Sequence, residues 1–105
     1  MMPNYDPAVA DALAPLMQAI PGAKAGKMFG MPAYKVGGKL AVGVFENGVV
    51  AKLGAERAEA LIGSDGISAF TPMGRYWKDW IMLTGDLAQH QSLLEEAVQY
   101  VAAHE

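Results

Sequence analysis

The stretch Lys27–Gly54, KMFGMPAYKVGGKLAVGVFENGVVAKLG, decides the fold. Small and β-branched apolar residues alternate with polar or small ones, and glycine-rich punctuation breaks the run. Asn47-Gly48 is a strong two-residue hairpin signal and pairs Glu46 with Val49. Leu40, Val42 and Val44 then share a face with Val49, Ala51 and Leu53. At Gly37-Gly38 a two-residue turn would set Lys35 on that apolar face. A three-residue loop, Gly37-Gly38-Lys39 with a glycine bulge, sets Tyr34 and Val36 there instead. Register follows the buried face, so the sequence predicts the three-residue loop. The result is a three-stranded meander. Its opposite face carries Ala33, Lys35, Ala41, Gly43, Phe45, Val50 and Lys52.

Helical patterns flank the meander. Asp6 can cap a first helix with Pro7 at its first position, and Val9, Leu13, Leu16, Met17 and Ile20 form its apolar stripe. Pro15 lies off the stripe and should bend it. Ala55–Gly63, AERAEALIG, reads as a short second helix closed by its glycine. SDGISAFTPMG reads as loop and RYWKDWIMLTG as a strand. On that strand Trp77, Asp79, Ile81 and Leu83 would face one way, and Tyr76, Lys78, Trp80 and Met82 the other. One tryptophan would then sit in the core and the other span the sheet edge. The last helix starts at Asp86, or at Ser92 with Glu95 in a capping box, and its stripe is Leu87, Leu94, Ala97, Val98 and Val101. The expected fold is a single two-layer α+β domain over residues 1–105. Its order is α-β-β-β-α-β-α, with an antiparallel sheet and helices mostly on one face.

Composition narrows the function classes. The chain has 105 residues, 52% hydrophobic and 18% charged, an ordered globular balance. It has no cysteine, which removes thiol chemistry and cysteine-bound zinc. No apolar run approaches the roughly 20 residues of a membrane span, and the N-terminus lacks a secretory pattern, so a cytoplasmic setting is expected. His90 and His104 stand too far apart on the last helix to share a metal ion. No nucleophile motif, carboxylate dyad or phosphate loop appears, and no cofactor is expected. The methionines Met28, Met31, Met73 and Met82 read as core filling, with an adaptable binding surface as the alternative.

Binding is the class left standing. The formal charge is −3, poor for non-specific nucleic-acid binding, yet Lys24–Lys52 carries five lysines against Glu46. The outer sheet face, with Lys35, Phe45 and Lys52, is a candidate surface for a protein partner or for a second copy of the chain. Phe45→Glu is expected to weaken that binding and leave the fold intact. Arg75 follows Gly74, where a tight turn would hold its guanidinium in place for an anionic group or for a loop carbonyl. With Trp77, Lys78 and Trp80 it forms a second candidate site, for a small ligand or an enzyme substrate.

Several short motifs carry a family resemblance. Lys27-Met28-Phe29-Gly30, the Val36-Gly37-Gly38-Lys39 turn, Lys52-Leu53, and Pro72-Met73-Gly74-Arg75 followed by Lys78 and Trp80 resemble the N-terminal domain of the TfoX/Sxy family. The likeness runs from about Ala25 to the last helix. It implies a compact α+β domain with an antiparallel sheet. Longer members add a helical C-terminal domain and regulate competence genes alongside a DNA-binding activator. The resemblance therefore implies a non-enzymatic interaction domain with a transcription regulator as partner, and it transfers no catalytic residue. PAYKVGGK also resembles a strand pattern of MmcQ/YjbR-like proteins, which implies nucleic-acid binding as the alternative.

Overall fold

The computed structural model describes residues 5–104. Helix α1 spans Pro7–Gln18. Four strands follow: β1 Lys24–Met28, β2 Met31–Val36, β3 Lys39–Phe45 and β4 Gly48–Lys52. After helix α2, Ala55–Leu61, come β5 Ile67–Ala69 and β6 Trp80–Leu83. A 3₁₀ turn at Leu87–His90 leads into α3, Gln91–Ala103. The strands form one antiparallel sheet in the order β1-β2-β3-β4-β6-β5. The fold is α+β, with the helices packed on one face.

Local chemistry explains the helix ends. Asp6 accepts a hydrogen bond from the Ala8 N–H at 2.9 Å, and Pro7 takes the first helical position. Pro15 is exposed and sits inside α1 near its end, where only one further turn has to be accommodated. Asp86 caps the 3₁₀ turn by accepting from Ala88 N–H at 3.1 Å. The Ser92–Glu95 capping box does not form, because α3 has already begun at Gln91.

The inner layer is the main core. Leu13 and Met17 of α1, Ile20 just beyond it, and Leu94, Ala97, Val98 and Val101 of α3 pack on Val42, Val44, Val49, Ala51, Ile81 and Leu83. Tyr34 packs against this cluster, and burial raises its phenol pKa. His90 is buried with its Nε2 3.2 Å from the Thr84 carbonyl oxygen, while His104 stacks on Tyr100. No described helix is long and apolar enough to cross a membrane.

The meander is present, with two turns placed differently from the sequence reading. Val36 pairs with Lys39, so Gly37-Gly38 is a two-residue turn, with φ of 58° and 84°. The expected bulge lies further in. Lys35 pairs with Leu40 but Tyr34 pairs with Val42, so Ala41 is the extra residue. Tyr34 and Val36 still face inward. Leu40 and Ala41 change places: Ala41 is in the inner core and Leu40 packs on the outer cluster.

The second hairpin turns at Glu46-Asn47, because Phe45 pairs with Gly48. Faces are unchanged by this shift. Gly48 is therefore a strand residue, and its glycine serves space: an added Cβ would lie 2.7 Å from the Leu83 carbonyl oxygen and 2.8 Å from Met82 Cε. Backbone cannot yield as a side-chain end can. Gly48→Ala should cost about 1–3 kcal/mol of unfolding free energy, measured by urea denaturation. A neutral result would mean that β4 and β6 separate without cost.

Two strands fall where none was assigned. Among the described residues, Lys24–Met28 is an edge strand paired only with β2, and Ile67–Ala69 is an edge strand paired only with β6. The expected long strand from Arg75 is shorter. Residues Arg75–Asp79 are loop, and only Trp80–Leu83 join the sheet.

Candidate functional site

The outer sheet face carries a second apolar cluster, built without a helix. Met28, Ala33, Val50, Phe70 and Trp80 are buried in it, and Leu40, Phe45, Trp77 and Met82 pack around them. Its small centre is filled from within the sheet. A Cβ at Gly43 would meet Met28 Cε at 2.9 Å, so glycine there lets the methionine lie flat. A Cβ at Gly26 would meet Lys35 Cε at 3.3 Å, so the lysine stem lies across β1.

Phe70 organises the rings. Its centroid is 5.1 Å from Phe45, 5.1 Å from Trp77 and 6.2 Å from Trp80. Trp77 in turn meets Trp80 and Phe29, each at 5.8 Å. The contacts of Trp77 are all edge-to-face, the arrangement favoured by ring quadrupoles. Both tryptophans thus belong to the outer face. The division into one core and one edge tryptophan does not hold, because the loop before Trp80 swings Trp77 back over the sheet.

That loop is pinned by its backbone. Trp77 N–H donates to the Phe70 carbonyl at 3.0 Å, and Arg75 N–H to Pro72 at 3.0 Å. The Asp79 carbonyl accepts from Leu53 at 2.9 Å and from Gly54 at 3.1 Å. The tip, Met73, is left in solvent at 96% exposure. Met73 is therefore no core residue, unlike the buried Met28 and Met31.

Beside this tip stands the β1–β2 turn. Phe29 is 55% exposed there, and Tyr76 in the loop is 50% exposed. Phe29, Pro72, Met73, Arg75 and Trp77 line a groove of about 280 Å³. Phe29-Gly30 has φ of 55° and 78°, and Met73-Gly74 has 54° and 77°. These nearly repeat the Gly37-Gly38 turn. Where that turn uses two glycines, the groove has a bulky apolar residue in the first left-handed position. Such residues avoid that region, and each costs on the order of 1–3 kcal/mol.

Charge surrounds the apolar floor. Register puts Lys24 opposite Lys35 and Lys52 opposite Trp80, all on the outer face. Arg75 and Lys78 are exposed on the loop, and Lys78 borders a second hollow of about 190 Å³ with Trp77, Asp79 and Trp80. The Arg75 side chain makes no hydrogen bond or ion pair among the described residues, so it does not tie down the loop. The described ion pair, Arg57–Glu96 at 2.8 Å, is on the helix side, where the carboxylate raises the guanidinium pKa. Among the described residues no group of three or more His, Asp or Glu could hold a metal ion.

The structure thus brings Lys35, Phe45, Lys52, Arg75, Lys78 and Trp80 to one side of the molecule. Their roles differ. Trp80 is 7% exposed and forms floor, and Phe45 is partly buried edge-on to Phe70. Phe45→Glu would therefore disturb the cluster as well as the surface. The sequence reading missed Phe29 and Tyr76, and it preferred core filling to a binding surface for Met73. For Phe29 and Met73 the available signal was a bulky residue before glycine; Tyr76 carried none. Neither a family model, nor a curated protein, nor a solved structure matches this chain.

Proposed function

We propose that this chain is a non-enzymatic protein-interaction domain, working in a cytoplasmic setting on a transcription regulator, and that the Phe29–Trp77 groove is its docking surface. One observation carries the reading. Phe29 and Met73 are large, apolar and exposed, and both are held on left-handed turns at the walls of one groove. Glycine or asparagine would fill those turns at lower cost. Strain kept beside an exposed apolar surface supports a binding role. The motif resemblance to the TfoX/Sxy N-terminal domain supports the transcriptional assignment.

A photo-cross-linking residue at position 73, in the full chain in cells, tests the docking surface. Cross-links to one protein from position 73, absent from a control at Glu95 on α3, are expected. Cross-linking no different from that control would remove the reading.

Met73→Asn separates stability from binding. The side chain packs on little, and asparagine tolerates the left-handed region. Unfolding free energy should stay level or rise by up to about 1 kcal/mol, while the cross-linked partner binds about tenfold more weakly. A clear loss of stability would show that Met73 is a packing residue.

A further inference from the structure

We infer that the partner segment is acidic: a short stretch of protein that sets one large apolar side chain between Phe29, Met73 and Trp77 and places carboxylates on Arg75 and Lys78. This rests on the interaction reading above and adds the chemistry of the ligand.

Charge is the first argument. The chain has eight lysines and arginines, and seven lie in the strands and loops of the sheet layer. The eighth, Arg57, is paired with Glu96 on the helix side. Lys24, Lys35 and Lys52 share the outer face with the ring cluster, and the register gives that face no acid on β1, β2, β4 or β6. Asp79 is the one acid in the loop Phe70–Trp80. None of Lys24, Lys35, Lys52, Arg75 and Lys78 makes an ion pair among the described residues. Same-sign charge around a low-dielectric hollow draws the opposite sign to it. Arg75, at the groove wall, can hold a carboxylate through two parallel N–H donors.

Groove size is the second argument. At about 280 Å³ it lies at the small end of the roughly 300–1,000 Å³ typical of small-molecule sites. It suits one anchor side chain of a longer ligand.

The ring geometry decides between polyanions. Nucleic-acid platforms offer flat aromatic faces for bases to stack on. Here Trp77 is held edge-to-face by Phe29, Phe70 and Trp80, with interplanar angles of 62°, 72° and 65°. Three neighbouring rings leave Trp77 only partly exposed, where it lines the groove. A second copy docked face to face would bring two sets of uncompensated cations together. A peptide with one apolar anchor and flanking acids meets neither obstacle.

The test is selection of a displayed library of short random peptides against the full chain. Enriched peptides should carry a large apolar residue flanked by Asp or Glu. A synthetic representative should bind with an affinity that falls as salt rises. Arg75→Glu and Met73→Asn should each weaken it about tenfold. Arg75→Gln should weaken it less than Arg75→Glu. Urea midpoints of the variants, compared with the parent, establish that they remain folded.

Groove-binding peptides without acidic bias, or binding indifferent to Arg75→Glu, would overturn the inference and leave the interaction reading standing. Concentration-dependent dimerisation lost on Met73→Asn would make a second copy the occupant and overturn it also. Failure to enrich any peptide sensitive to Met73→Asn, together with tight, salt-sensitive binding of an oligothymidylate, would overturn both.

Discussion

Phe70→Ala is expected to lower the unfolding free energy by about 3–5 kcal/mol. Phe70 is 1% exposed and sits among Phe45, Trp77 and Trp80. Truncation loses the transfer energy of the ring and leaves a cavity whose walls cannot close. Trp80 is fixed in β6 by pairing with Lys52, and Trp77 is fixed by its N–H bond to the Phe70 carbonyl. Small domains have roughly 5–15 kcal/mol in total, so this one residue carries a large share. Urea denaturation followed by tryptophan fluorescence measures it, since both indoles border the change. A loss under about 1 kcal/mol would show that the outer cluster is not part of the cooperative fold. The groove should loosen as well, because Trp77 is a wall of the groove and a neighbour of Phe70.

That outer cluster is where reading from sequence met its limit. Alternation identifies faces as long as register is continuous. It placed Tyr34, Val36, Val42, Val44, Val49, Ala51 and Leu53 inward, where all but Tyr34 are buried and Tyr34 packs on the core. A bulge moves the pattern by one residue, and nothing at Leu40-Ala41 announces one. Those two side chains therefore exchanged faces. β1, Lys-Ala-Gly-Lys-Met, pairs on one side only, so it lacks a buried pattern to read. Helix α1 was legible because its signals are local: an aspartate cap, a proline at the first position, and an apolar stripe from Val9 to Met17.

The candidate site was half legible for the same reason. Its cations and its aromatic residues are visible in FTPMGRYWKDWIML, Phe70–Leu83. The path of the loop is not, because ring contacts distant in sequence set it. Phe29 meets Trp77 only after β1 and β2 have paired and the loop has folded across them. Met73 looked like filler because methionine usually is, and its exposure follows from the turn at its tip. Gly48 looked like a turn glycine, and its use is to let β4 lie close to β6.

Gly54→Ala is the second substitution with a large expected cost, about 3 kcal/mol or more, from two separable causes. Gly54 has φ 91° and ψ 154°, a region open in practice to glycine alone. An added Cβ would also lie 2.8 Å from Tyr100 Cε1 and 3.1 Å from its Oη. Gly63→Ala is the control, since Gly63 has φ 99° but nothing within 4 Å of the new Cβ. It should show the strain alone, about 1 kcal/mol at the low end of the range. In a Tyr100→Ala background the excess cost of Gly54→Ala over Gly63→Ala should shrink, which a double-mutant cycle in urea measures. An unchanged excess would assign the whole effect to the backbone. The consequence reaches the groove by a short route. Leu53 and Gly54 both donate to the Asp79 carbonyl, and Asp79 lies between Lys78 and Trp80. A shift at Gly54 that satisfies Tyr100 must stretch those two bonds. Peptide binding should therefore weaken in Gly54→Ala even where the protein remains folded, and recover in part when Tyr100 is also truncated.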